Sequence, residues 1–182
     1  MKEFVISDLH LGHEGILKYR SQFKTIEEHD NFIIDNWNKV VTPQDKVYVL
    51  GDVCWKKKDL EKIKLLNGKK ILIAGNHDIL GAKNYLKVFK DIRGLWKKGD
   101  YWLSHAPIEK NSLRDLKNIH GHLHSYTVRH MENSNRQSIN PKKSGFEDII
   151  YITNDYNYIN VCCEKVNYTP VEIKETKNER MY

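Results

Sequence analysis

Thiols are scarce: of 182 residues only Cys54, Cys162 and Cys163 are cysteine. The number is odd and no Cys-x-x-Cys pair occurs, which argues against a disulfide framework and a thiolate zinc site. Cys162 and Cys163 fall in a strand-like run, so their side chains are expected on opposite faces. All three cysteines read as structural, and Cys54, two residues past Asp52, is the one expected near a site. Long apolar runs are missing too, and nothing approaches the roughly 18 residues of a membrane span. The chain opens directly in a strand pattern without signal-peptide features, so a cytoplasmic location is the expectation. No internal repeat or low-complexity segment interrupts it, and nothing points to an obligate protein partner. Charge is not lacking in either sign. Thirty basic against 24 acidic residues leave +6, a mild lean toward an anionic partner such as phosphate or nucleic acid. Runs such as Lys56-Lys57-Lys58 read as a solvated face.

What is present is a soluble-protein composition, 40% hydrophobic, in a length suited to one domain over residues 1–182. The stretch that organises it is Gly75-Asn76-His77-Asp78, which follows the short apolar run Lys70–Ala74. Gly75 lets the backbone turn, and an amide, an imidazole and a carboxylate follow beyond the carboxyl end of a strand, where open α/β sheets bind ligands. The pattern recurs. A strand-like Lys2–Ser7 leads into Asp8-Leu9-His10-Leu11-Gly12-His13, and Lys46–Leu50 into Gly51-Asp52. Tyr101–Ser104 leads into His105-Ala106-Pro107, and Leu116–His120 into Gly121-His122-Leu123-His124. Singly, Asp8 reads as a turn residue, His105 as a core histidine and Asn76 as an Asx-turn. Five such runs in one chain read as a site.

Between these runs, Thr25 and Glu28 form a capping box before a helix with Ile26, Ile33, Trp37 and Val40 at helical spacing, ended by Pro43. It is placed as the crossover of a βαβ unit. Shorter helices are expected at Asp59–Leu66, with Gly68 past its end, and at Ala82–Phe89. Ile92–Trp96 and Tyr101–Ser104 read as two strands joined by a tight turn. Asp148–Thr153 and Tyr156–Cys163 read as a hairpin about Asn154-Asp155, and Thr169-Pro170-Val171-Glu172 as the start of a closing helix. About 125–148, a polar, basic insert carries Arg129, Arg136, Lys142 and Lys143 and is expected to line the approach to the site. The fold class that results is α/β with two sheets.

The polar set comprises Asp8, His10, Asp52, Asn76, His105, His122 and His124: three oxygen donors and four imidazoles. Mixed N/O donors suit Mn²⁺, Fe²⁺, Zn²⁺, Co²⁺ or Ni²⁺ rather than Ca²⁺. Seven donors exceed one tetrahedral ion and suit two ions about 3.5–4 Å apart sharing a carboxylate. Side-chain alternation in extended backbone would let Asp8 with His10, and His122 with His124, aim at one pocket. His120 should point away from His122 into packing, His29 should lie on a helix surface, and His130 falls in the insert. His13 either touches a substrate phosphate or caps the following helix.

Asp-x-His, Gly-Asp, Gly-Asn-His-Asp, a lone His and Gly-His-x-His, in this order over residues 8–124, resemble the motifs of the calcineurin-like metallophosphoesterases, in particular the small single-domain bacterial and phage type. The resemblance implies two stacked mixed β-sheets flanked by helices in a four-layer sandwich. It implies two divalent ions, Mn²⁺ first among them. Asp8, His10, Asp52 and His124 would hold one ion and Asp52, Asn76, His105 and His122 the other, with Asp52 bridging. His77 would be catalytic, oriented by a hydrogen bond that Asp78 accepts, and Asn76 and His13 would border the substrate. The implied reaction is hydrolysis of a phosphomonoester or phosphodiester by a metal-bridging hydroxide. Asp-Leu-His-Leu-Gly also resembles the opening motif of the recombination nucleases of this superfamily, which leaves a nuclease acting on DNA or RNA ends as an alternative. A non-catalytic scaffold is the remaining one, disfavoured because His77 is present.

Overall fold

Alternation along three strands sorts the core into two layers. The structure, a computed structural model, describes residues 1–132 and 151–174. In β1 (Glu3–Ile6), β2 (Lys46–Val49) and β3 (Lys69–Ile73), the side chains of Phe4, Ile6, Val47, Val49 and Leu72 enter one cluster with Ile33 and Trp37. Val5, Tyr48, Ile71 and Ile73 enter a second with Leu103, Ile119 and Val161. Period-two side chains therefore bury both faces of the sheet, one under a helix and one against another sheet. The helix is α1 (Ile26–Val40). Thr25 Oγ1 accepts the Glu28 N–H at 3.1 Å, worth about 1 kcal/mol as an N-cap. The Glu28 carboxylate reaches the Lys24 N–H rather than that of Thr25. The fully buried Trp37 donates its indole N–H to Asn67 O at 2.9 Å.

The first sheet runs β11–β1–β2–β3–β4, with β4 at Asp91–Arg93 and β11 at Val171–Glu172, parallel except for β11. The second runs β10–β7–β6–β5, comprising β5 (Leu95–Lys98), β6 (Tyr101–Ser104), β7 (Lys117–His120) and β10 (Tyr158–Asn160), with only β5 antiparallel. A separate ribbon pairs β8 (Arg129–Glu132) with β9 (Tyr151–Asn154). The architecture is thus α/β with two stacked mixed sheets, as expected. Trp102 Nε1 donates to Leu113 O, so a 3₁₀ turn at Lys110–Leu113 meets β6 of the second sheet.

Several local expectations are corrected. The Ile92–Trp96 run is split at Gly94, where the chain leaves the first sheet and enters the second; a glycine inside a strand pattern marks such a bend. Lys57–Leu65 is 3₁₀ rather than α, and α2 ends at Tyr85 (Ala82–Tyr85). The strand at Tyr151–Asn154 pairs with β8, while Tyr158–Asn160 joins β7 in parallel, so no hairpin forms about Asn154-Asp155. Asp155 instead accepts the Asn157 N–H and pairs with Lys110. The Thr169-Pro170 signal opens the edge strand β11 rather than a helix; a proline there removes no donor that the two-residue strand needs. His29 is buried, held by Asp30 on one nitrogen and Arg20 on the other. Of the expected insert, Arg129 opens β8, whereas Arg136, Lys142 and Lys143 lie outside the described residues. Among the described residues no helix is long and apolar enough to cross a membrane.

Candidate metal centre

The five expected donor loops leave β1, β2, β3, β6 and β7 at their carboxyl ends and are stitched together by backbone. Asp8 N donates to Gly51 O, His10 N to Asp52 O, and Gly121 N to His105 O, at 2.8–3.1 Å. Asp8, His10, Asp52, His122 and His124 all adopt positive φ, between 47° and 68°. Each such residue costs about 1 kcal/mol or more, and strain of this kind gathers at functional sites. Pleat alternation therefore does not aim these side chains: the left-handed backbone does. Gly51, at φ 82°, has no substitute, since a Cβ would lie 2.5 Å from His105 Nδ1 and 2.6 Å from Gly75 Cα.

Asp8, His10 and His124 bring one ligand atom each within 4.8 Å of one another, and so do Asp8, Asp52 and His105. His10 Nε2 lies 3.9 Å from both Asp8 Oδ1 and Asp52 Oδ2, and His124 Nε2 lies 3.9 Å from Asp8 Oδ1. Asp8 Oδ1 and His10 Nε2 are buried without a hydrogen-bond partner. Asp8 Oδ2, by contrast, accepts from His122 N and from the Cys162 thiol. Burial, then the Arg20 charge, hold the His10 pKa down at about 2, so its ring is neutral and offers a lone pair.

Next to this group, His105 Nδ1 donates to Leu50 O at 2.8 Å, because a carbonyl can only accept. Its Nε2 faces Asn76 Oδ1 at 2.8 Å, His122 Nδ1 at 3.2 Å and Asp52 Oδ1 at 3.5 Å. Imidazole nitrogens, a carboxylate and an amide oxygen gathered this closely form a mixed N/O donor set, and the residues fit divalent metal.

His77 stands apart from these. Its side chain is 41% exposed, its Nε2 is 4.0 Å from Asp52 Oδ2, and its ring packs on Trp55 at 4.4 Å. Its own N–H holds Asp52 Oδ1 at 3.0 Å. The expected Asp78–His77 hydrogen bond is corrected. Asp78 Oδ2 accepts from Asp52 N and Gly75 N, and Oδ1 from Val53 N, so this carboxylate braces the loop beneath Asp52. Neighbouring side chains in the turn diverge, which sends Asp78 inward and His77 outward. His13 also stacks on Trp55, at 4.4 Å, and makes no side-chain cap to the turn at Glu14–Lys18. His120 is buried with Nδ1 on Gly121 O, as packing would have it.

Four residues unremarked as site components in the sequence prove central. The guanidinium of the fully buried Arg20 donates to Asp8 O, Leu9 O and Glu164, and Glu164 accepts His124 Nδ1–H at 2.9 Å. That bond raises the His124 pKa. Burial pushes Glu164 up, but His124 and Arg20 outweigh it and bring the carboxyl down to about 2. Cys162 packs directly on Asp8, and burial pushes its thiol up, so it acts as a donor rather than a thiolate. Trp55, 39% exposed, links His13 and His77. No sequence spacing marked any of the four, because each works through a contact between segments remote in the chain.

The profile of the Metallophos family, described as calcineurin-like phosphoesterase, matches residues 1–169, and the chain belongs to that family. It is therefore a metal-dependent phosphoesterase, with Asp and His groups able to hold metal. Among its relatives is the uncharacterized protein MJ1445 of Methanocaldococcus jannaschii, 34% identical over 178 residues, spanning 94% of this chain and 87% of the relative. The Gene 66 protein of Mycobacterium phage L5 is 36% identical over 77 residues, 40% of this chain and 37% of the phage protein. Among solved structures, the protein of unknown function AQ665 from Aquifex aeolicus superposes with a TM-score of 0.62 at 27% identity, covering 94% of this chain and 95% of that one.

Proposed function

We propose that this chain hydrolyses phosphate esters, monoesters or diesters, with two divalent ions, Mn²⁺ first among the candidates. Asp8, His10, Asp52 and His124 are assigned to one ion and Asp52, Asn76, His105 and His122 to the other. The observation that carries the reading is that Asp8 Oδ1 and His10 Nε2 are buried without a partner, inside two adjoining Asp and His groups whose ligand atoms lie within 4.8 Å of one another. Bound ions would supply a nucleophile near neutral pH by lowering the pKa of water, and would offset charge on the phosphoryl oxygens.

The chain's own groups do the rest. Asp52 reaches toward both donor groups, and the His77 N–H and the Asp78-braced loop keep its carboxylate in place. The exposed ring of His77 stands where a substrate enters from solvent. From there it can donate to a phosphoryl oxygen or protonate the leaving oxygen, a role worth about 10²–10⁴-fold. His13, which stacks on Trp55 as His77 does, is assigned a second phosphate oxygen. The test is hydrolysis of p-nitrophenyl phosphate and its bis ester with added Mn²⁺ and after chelation, beside short oligonucleotides for the nuclease alternative. Chelator-sensitive turnover of either ester supports the reading; chelator-insensitive or absent turnover of all three overturns it.

A further inference from the structure

Where the chain crosses from the first sheet to the second, a groove of about 490 Å³ opens beside the candidate metal centre. Its volume lies in the range of small-molecule sites, about 300–1,000 Å³. One end is formed by Asn76, His105 and His122, all assigned above to one ion. The rest of the lining includes Gly94, Leu95, Ala106, Pro107 and Ile108. Leu95 is 46% exposed, a large apolar side chain left at the mouth of a polar site.

The polar backbone along this groove is already used inside the protein. Ala74 N donates to Arg93 O. Ala106 O accepts the Ser104 hydroxyl, Ile108 N donates to Asn118, and Ile108 O accepts the Tyr158 hydroxyl. These groups are taken, and Leu95, Pro107 and Ile108 offer the groove apolar contact area. We infer that this groove receives the organic group of the phosphate ester, and that the group is apolar or aromatic. The inference rests on the phosphate-ester reading above. With phosphorus held beside Asn76, His105 and His122, the substituent of the ester lies in the groove that Gly94, Leu95 and Pro107 also line.

Gly94 makes the groove testable. A Cβ built there meets no heavy atom within 4 Å, and its φ is not in the left-handed region, so a side chain can be added without strain in the fold. Gly94 lines the groove, so Gly94→Phe places a bulky ring at it. The probes are methylphosphonate and 1-naphthylmethylphosphonate, which share the anion, differ in the organic group and cannot turn over as esters. They are titrated calorimetrically into the Mn²⁺-supplemented protein. Wild type is expected to bind the naphthyl compound about tenfold or more tightly than the methyl one. In Gly94→Phe that preference should vanish while methylphosphonate affinity and the circular dichroism spectrum stay unchanged. Leu95→Ala, which removes one wall, should reduce the preference severalfold. Equal affinity of the two compounds for wild type, or a preference that survives Gly94→Phe, overturns the groove assignment and leaves the phosphate site standing. Failure of both compounds to bind wild type overturns the phosphate site and the groove with it.

Discussion

On the Asp8, His10 and His124 side of the centre, support comes from buried charge; on the Asp52, Asn76, His105 and His122 side it comes from the backbone. Arg20 carries four contacts into the first side, to two carbonyls, to His29 and to Glu164, which in turn fixes the tautomer of His124. The second side depends on Leu50 O for His105 and on three N–H groups for Asp78. It also lines the open groove, whereas on the first side the Cys162 thiol packs on Asp8. A ligand group fixed by a buried ion pair is held rigidly but is vulnerable to loss of one partner. A group fixed by backbone is hard to disturb by side-chain substitution except where glycine is required.

Asp52 belongs to both sides, so Asp52→Asn erases the comparison and should have the largest effect. Binding of both Mn²⁺ ions should weaken in a calorimetric titration, and p-nitrophenyl phosphate hydrolysis should fall below detection. Retention of two tight ions with near-normal turnover would remove Asp52 from the centre. Arg20→Met should break the charged side alone. It leaves Glu164 with His124 as its remaining partner and strips two buried carbonyls of their donor, and should cost about 3–5 kcal/mol in urea unfolding. His77→Asn tests a residue assigned to neither ion: two ions should remain, while kcat drops about 10²-fold or more. Loss of an ion there would make His77 a ligand.

Glu164→Gln sharpens the comparison further. It keeps the shape but removes the carboxylate charge that faces His124 Nδ1, and should weaken one Mn²⁺ about 10–100-fold while the other is unaffected. Equal weakening of both would mean the two sides are supported as one unit. The smallest effect serves as a control away from both. Backbone and hydroxyl donors from Lys2 and Thr42 hold the Asp45 carboxyl down at about 2, below its ordinary value near 3.8. A lowered pKa stabilises the fold above the ordinary value and stops doing so as pH falls through the lowered one. Asp45→Asn should therefore lower Tm at neutral pH, and the gap from wild type should close as pH falls from about 4 toward about 2.

The five donor loops and α1 were legible in the sequence because each is a local signal: an apolar run, a glycine and a polar tip, or a cap followed by helical spacing. Gly94 shows the limit. Ile92–Trp96 reads as one strand, since local pattern cannot tell which of two sheets each half will join. His29 shows another: its helical position placed it at the surface, and only Arg20 and Asp30 arriving on its two nitrogens explain its burial.

Residue types and their order determined by themselves that N/O donors would gather at strand ends, because Asp, Asn and His were placed after apolar runs and the thiols were not. Tertiary structure alone decided how they gather. Five donor residues take left-handed backbone that no pleat supplies, Asp78 turns under Asp52 instead of toward His77, and Arg20 and Glu164 join the first donor loop to the last across 144 residues of chain. The physical reason is range: propensity and periodicity act over a few residues, whereas these contacts exist only once the two sheets have stacked and closed the interior to water.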